Sequence, residues 1–326
     1  MLLFKKMNKK DLENAKDWII SNQNLNGAIY WDEKGKCDAW DHCECLIALA
    51  IFEEWTVFDK GIDWILNNIN SEGLIYSEFI LNKPSKVFFE AHHAAYIFLP
   101  LLQRYLIDGK KEYLKKRFKE LRRIYKGMKS FQDDDGYFHW AKSSHGYADN
   151  SLITASCSIE LSRRAYKYIS EIVGENFVDN ENFLNKEMLA SKKFNRDGID
   201  RSRFSMDSYY PLLCGYGEQK DITTLLQNFY IEGLGIKCVI EEPWVTLAES
   251  SECVIALLKS GKKEVAHKVF NDIVKLKNKN GVFPTGYQYK LDLLWPDESS
   301  TWTNAAVIMA ADCLFDLTGK EKAILI

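Results

Sequence analysis

The chain has 326 residues, 46% of them hydrophobic and 13% aromatic, with only 6 prolines. A packed core is expected and disorder is disfavoured, in one large domain or two smaller ones. With 43 Lys and Arg against 46 Asp and Glu the net charge is -3, so the positive surplus on which a general nucleic-acid binder relies is missing and nucleic acid is not an expected partner.

From the amino terminus onward, Met1 to Lys10 holds a three-residue apolar stretch before Lys5 and Lys6, too short for a secretory h-region. Later apolar runs such as Cys45 to Phe52 and Ile97 to Leu102 are far below bilayer length, so no membrane span is expected. The eight cysteines are scattered through apolar, helix-like segments, a distribution that predicts reduced, buried thiols rather than a disulfide scaffold. These features predict a cytoplasmic protein.

A glycine that follows an acidic or amide residue recurs along the chain: Asn26-Gly27, Glu72-Gly73, Asp135-Gly136, Asp197-Gly198, Glu232-Gly233 and Asn280-Gly281. Such pairs mark turns, because glycine supplies the positive φ of a helix exit. Six repeats of about 54 residues account for the whole chain as one domain, residues 1–326. Between the glycines the periodicity is helical. Leu114, Phe118, Leu121, Tyr125 and Met128, for example, form one amphipathic stripe. Amphipathic helices are predicted at roughly 11–23, 59–69, 111–129, 183–192, 221–230 and 262–276. A more apolar set rich in alanine is predicted at 39–55, 88–107, 148–170, 204–214, 246–259 and 299–317. Six buried helices alternating with six one-faced helices predict an all-α fold, an (α/α)6 toroid; an α-solenoid is the competing arrangement.

In such a toroid the six inner helices present their N-terminal ends at one mouth. The residues there are Trp40, Asp41 and Glu44; Glu90, His92 and His93; Asp149 and Asn150; Asp207, Tyr209 and Tyr210; Trp244, Glu249 and Glu252; and Glu298, Thr301 and Trp302. Helix capping and the helix dipole also favour acids in first turns. They account less well for Asp41/Glu44 and Glu249/Glu252, which at i, i+3 share a face with Ala48 and Ala256 one turn further on. Carboxylates around an aromatic-lined cavity suit reactions with a cationic transition state, and indoles suit either a sugar ring or a carbocation. One of His92 and His93 is expected to face the mouth, in a proton-relay or substrate-binding role. Asp41-His42-Cys43-Glu44-Cys45 holds ligand residue types, but no spaced metal motif is present and no metal or cofactor is expected. The basic run Lys110 to Lys126 keeps its apolar stripe and reads as the solvated face of an outer helix.

Some of these segments resemble a known group. Trp18 to Trp31 and Phe131-Gln132 to Trp140 resemble the repeats of the squalene-cyclase and prenyltransferase superfamily, and Glu90 to Tyr96 looks like an inner-helix start of protein prenyltransferase β subunits. Phe204 to Pro211, Pro243 to Glu249 and Trp295 to Trp302 are similar to motifs of bacterial prenyltransferase-like proteins. The resemblance implies the α/α toroid. The proton-donor motif of the cyclases and the zinc ligands of the prenyltransferases have no counterpart, and the six-hairpin glycosidases share the fold with their acids at the same mouth.

The leading expectation is therefore an enzyme using carboxylate acid–base chemistry on a small glycosyl or polyhydroxylated substrate. Asp41, Asp207, Glu249 and Glu298 are the expected catalytic residues, with Asp41 across the ring from Asp207. Trp40, Glu44, His92, His93, Trp140, Asp149, Tyr209, Tyr210, Trp244 and Trp302 are the expected substrate contacts. An isoprenoid cyclase or prenyl-transferring enzyme, and a non-catalytic binding toroid, are the alternatives.

Overall fold

The computed structural model describes residues 6–179, 182–195 and 198–319; Asp197 of the fourth glycine turn lies outside them. Six helices form an inner ring: α2 (Ala39–Ile51), α4 (Phe98–Asp108), α6 (Ile153–Val173), α8 (Ser205–Leu213), α10 (Leu247–Lys259) and α12 (Thr301–Phe315). Each packs on the next, and α12 returns to α2, so the ring closes as a toroid and a solenoid is excluded. Outside lie α1 (Glu13–Ser21), α3 (Trp55–Asn68), α5 (Lys111–Lys129), α7 (Lys186–Leu189), α9 (Gln219–Phe229) and α11 (Lys263–Val274). The inner helices are apolar on almost every face because both neighbours and the outer ring bury them. Every residue from His42 to Ile51 in α2 is buried, whereas α5 buries only its stripe and leaves its lysines outside.

Three of the glycine turns, at Gly27, Gly73 and Gly281, fit tightly against neighbouring helices. Gly27 has φ +99°, and a Cβ there would stand 2.0 Å from the carbonyl oxygen of Lys60 on α3. At Gly281, φ +77°, a Cβ would stand 2.3 Å from the side-chain amide of Asn14 on α1, so the last turn docks on the first outer helix and helps to close the ring. Only glycine combines that backbone conformation with that approach.

Two departures from the sequence expectation matter for function. The fold is not purely helical: antiparallel β1 (Lys36–Cys37), β2 (Tyr76–Ile80), β3 (Lys83–Glu90), β4 (Ala141–Ser143) and β5 (Gly146–Tyr147) form one sheet in that order. A second contains β6 (Tyr230–Ile231), β7 (Gly235–Lys237), β8 (Trp244–Thr246), β9 (Gly286–Gln288) and β10 (Leu293–Leu294). Most of these strands have two or three residues, too few for an alternating pattern to register. In addition, the helix expected at 88–107 begins at Phe98; residues 83–90 are strand β3, whose Phe89 and Glu90 pair with Lys142 and Ala141. The outer helix expected at 183–192 shrinks to the four residues of α7. Both sheets sit at the N-terminal ends of the inner helices, since β1, β4–β5, β8 and β9–β10 lead towards α2, α6, α10 and α12.

Candidate active site

The site is built on the first turn of α2. Asp38 is its N-cap and accepts the backbone N–H of Asp41 at 2.9 Å, as a short acidic side chain in extended backbone does at a helix start. Asp38 and Asp41 also hydrogen-bond through their side chains. Burial, reinforced by the Asp38 charge, pushes the Asp41 carboxyl well above the ordinary carboxylate range. Burial acts against ionisation of Asp38 too, but His93, Lys36 and the bonds from Asp41 prevail and hold it below its usual value. The two neighbours are therefore driven apart, one towards the acid and one towards the carboxylate.

Both line a pocket of about 250 Å³ at the mouth, together with Trp40, His93, Glu90, Met206 and Trp302. Lys36 of β1 and Ser77 and Glu78 of β2 complete one wall. Glu90 accepts the Ser77 hydroxyl at 2.6 Å and faces His93 Nε2 at 3.6 Å. Trp40 meets His92, Tyr96 and Tyr210 edge-on, with ring centroids 5.1, 5.9 and 5.9 Å away.

A second pair of acids lies one turn deeper. Glu44 accepts Trp302 Nε1–H at 2.9 Å and the Tyr96 hydroxyl at 3.2 Å. Glu252, reaching in from α10, accepts both the Tyr209 hydroxyl and the Tyr210 hydroxyl, the latter at 3.0 Å. Glu44 and Glu252 hydrogen-bond to each other, which requires a proton between them. Burial, then the Glu252 charge, pushes Glu44 well up. Burial raises Glu252 to about 7 against the bonds from Tyr209, Glu44 and Tyr210.

The remaining expected acids are placed elsewhere. Asp207 is ion-paired with Arg201 at 3.2 Å and lines a separate pocket between α8 and α9. Glu249 is buried, accepts the Thr246 hydroxyl and the Cys238 thiol, and is raised by that burial. Glu298 accepts Trp31 Nε1–H at 2.8 Å and lies 3.6 Å from Lys34. None of these three lines the Asp41 pocket.

Of the expected substrate contacts, Trp40, His93 and Trp302 line the pocket, while Glu44, Tyr209 and Tyr210 lie beneath it and His92 lies behind Trp40. Trp140 sits beside Phe88 on the first sheet, Trp244 pairs with Trp295 on the second, and Asp149 is exposed before α6. The sequence expectation passed over Asp38 as a site residue and left Glu252 among the mouth residues. The available signals were the i, i+3, i+6 run Asp38, Asp41, Glu44 and the depth of Glu252 one turn below Glu249. Among the described residues, Glu90, His92 and His93 bring one ligand atom each within 4.8 Å of one another, so this trio has the donors to hold a metal ion.

No family model matches the sequence. The chain is 29% identical over 300 residues to the MMP endo-(1,4)-3-O-methyl-alpha-D-mannosidase of Mycolicibacterium hassiacum, across 91% of this chain and 84% of that protein. The structure is similar to a glycosidase solved in complex with glucose (TM-score 0.66, 13% identity, 94% of this chain and 96% of that one). It is also similar to the GH63 mannosylglycerate hydrolase of Thermus thermophilus with glucose (TM-score 0.69, 10% identity, 91% and 99%). These findings overturn the resemblance to squalene cyclases and prenyltransferases: its repeat motifs mark the hairpins of the toroid, a feature of fold, and the likeness at sequence level lies with a mannosidase. The isoprenoid alternative is not favoured. Among the described residues no helix is long and apolar enough to cross a membrane. The chain is a glycosidase-like hydrolase built on an (α/α)6 toroid.

Proposed function

We propose that the protein cleaves internal α-mannosidic bonds of an oligo- or polysaccharide, with Asp41 as the proton donor. The observation that carries this reading is the Asp38–Asp41 pair: two carboxyls in one aromatic-lined pocket, pushed in opposite directions. Such divergence is how neighbouring carboxyls acquire distinct acid and base roles. The mannosidase relative supports the sugar.

In this mechanism Trp40 and Trp302 hold the sugar ring by its apolar face. Asp41, whose burial and charged neighbour favour its protonated form, gives its proton to the glycosidic oxygen as the bond to the anomeric carbon breaks, and the leaving sugar departs as an alcohol. Ionised Asp38 stabilises the positive charge that develops on the ring. Water adds to the anomeric carbon and passes a proton to Asp38, the ionised carboxylate of the same pocket. That proton returns to Asp41 through solvent, so the enzyme ends as it began. Asp207, Glu249 and Glu298 take supporting places around this centre, each held by the partners described above. The whole chain acts as one domain in the cytoplasm, where its eight free thiols remain reduced.

The test is incubation with α-(1→4)-linked oligomannosides, with and without 3-O-methyl groups, followed by mass spectrometry of the products. Internal fragments are expected; release of terminal sugars alone, or no cleavage of any mannoside, overturns the reading.

A further inference from the structure

Strand β3 ends at Glu90, and residues 91–94 form a turn where a helix from residue 88 was expected. On a helix, neighbouring side chains point about 100° apart, so only one of His92 and His93 could face the mouth. The turn removes that restriction. It is pinned by backbone bonds from Ala91 N–H to the Trp140 carbonyl at 3.1 Å, from His93 N–H to that of Glu90 at 3.3 Å and from Tyr96 N–H to that of His92 at 3.1 Å. Held this way, the two imidazole rings have their centroids 4.7 Å apart, and Glu90, His92 and His93 bring one ligand atom each within 4.8 Å of one another.

The geometry of this cluster fits a shared ion better than a direct ion pair. The Ser77 hydroxyl donates to one oxygen of Glu90 at 2.6 Å, and the other oxygen stands 3.6 Å from His93 Nε2, too long for a hydrogen bond. Two ligands held about 2.1 Å from a tetrahedral zinc stand roughly 3.4 Å apart, close to that separation. His93 is 4% exposed, and its Nδ1 has no hydrogen-bond partner among the described residues. Native interiors rarely leave such an atom, and an ion within reach of the ring gives the imidazole a partner. The surroundings favour positive charge: Asp38, Asp41, Glu78 and Glu90 line the pocket with Lys36 and Lys86, and Lys86 is paired with Glu78 at 3.0 Å.

We propose that Glu90, His92 and His93 hold a divalent cation of the zinc type in the wall of the pocket. Two imidazoles and a carboxylate suit zinc and its first-row neighbours, whereas calcium and magnesium prefer sets of oxygens. Three protein ligands leave a coordination position open. Glu90 and His93 line the pocket and His92 lies behind Trp40, so the open position faces the cavity. There the ion takes a hydroxyl oxygen of the sugar and fixes the ring against Trp40 and Trp302. This contact rests on the glycosidase reading above, whereas the ion site itself does not. No spaced motif announces the site in the sequence, because its ligands come from the last residue of a strand and the turn that follows.

The test uses full-length protein freed of metal by a chelator and titrated with zinc chloride in a calorimeter. One zinc per chain is expected, bound at least about tenfold more weakly by His93→Asn and by Glu90→Gln. Zinc should raise the thermal midpoint of the wild type and leave that of either variant unchanged; two variants are used so that either one, if folded in chelator, decides. Cobalt in place of zinc should give the absorption of nitrogen and oxygen ligands. Absence of binding, equal binding by the variants, or a thiolate spectrum from the cysteines overturns the site. In Asp41→Asn protein, zinc should tighten an α-(1→4)-mannobiose at least about fivefold; unchanged affinity overturns the contact with the sugar. Failure of the wild-type enzyme to cut any mannoside, with zinc present, strikes the glycosidase reading instead and leaves the zinc titration to decide the site.

Discussion

Helices α2 and α10 begin alike, with an acid, two intervening residues and a second acid, yet the fold treats the two first turns differently. The deeper members, Glu44 and Glu252, are both fully buried and meet at the centre of the ring. The outer members diverge. Asp41 opens into the pocket beside a second aspartate and two indoles, whereas Glu249 is tied to Thr246 and Cys238 and shares no pocket with Asp41. What precedes each helix makes the difference: Asp38 caps α2 and adds a charge, while α10 follows directly from strand β8, whose last residue, Thr246, supplies only a hydroxyl. The same motif opens onto a pocket in one hairpin and is a satisfied buried acid in the other.

The sharpest way to break this comparison is Asp41→Asn, which keeps shape and removes the proposed proton donor. Turnover of an oligomannoside should fall about 10³-fold with the thermal midpoint unchanged or raised. A loss below tenfold in initial-rate assays would return the role of acid to the other mouth carboxylates.

Glu252→Gln should lower kcat roughly thirtyfold, by releasing Tyr209, Tyr210 and Glu44 beneath the pocket. It carries a pH signature as well. The native value of about 7 lies above the ordinary 4.5, so the folded state favours the protonated form. The stability contributed by this group is complete below about pH 4.5 and is lost as pH rises through 7. The melting temperature of the wild type should fall across that window, and the slope should be shallower in Glu252→Gln. Parallel melting profiles would remove the protonated pair from the account.

Trp302→Phe retains an aromatic face but deletes the N–H that holds Glu44. We expect a loss of about tenfold in kcat/KM, shared between KM and kcat. A change confined to protein stability would make this indole a packing residue alone.

The smallest effect is expected on the other side of the comparison. Glu249→Gln should change kcat less than about threefold and cost about 1 kcal/mol in denaturant titrations, the scale of one hydrogen bond. A kinetic defect comparable with that of Asp41→Asn would restore the symmetry of the two hairpins.

Much of the fold was legible in the sequence. The apolar character of 39–55 or 299–317 follows from burial on every side, and the stripe of Leu114 to Met128 follows from burial on one; both properties are local to a helix. Gly27 and Gly281 announced their turns because positive φ is itself a local requirement. The sheets were silent because two-residue strands such as Lys36–Cys37 carry no period, and Val87, Phe88 and Phe89 are as apolar as a helix start.

The site was legible only in kind. Acids and indoles at one mouth follow from helix order along the chain, which also places α2 opposite α8 in the ring. Which acids converge was decided by tertiary structure. The meeting of Glu44 with Glu252, the capture of Asp207 by Arg201 and the bond from Thr246 to Glu249 depend on distances between segments that no spacing encodes. A carboxyl acquires its acidity from burial and neighbouring charge, and both are properties of the closed ring. Sequence alone therefore determined the six hairpins and the chemical class of the mouth; the toroid determined which of its acids keeps a proton.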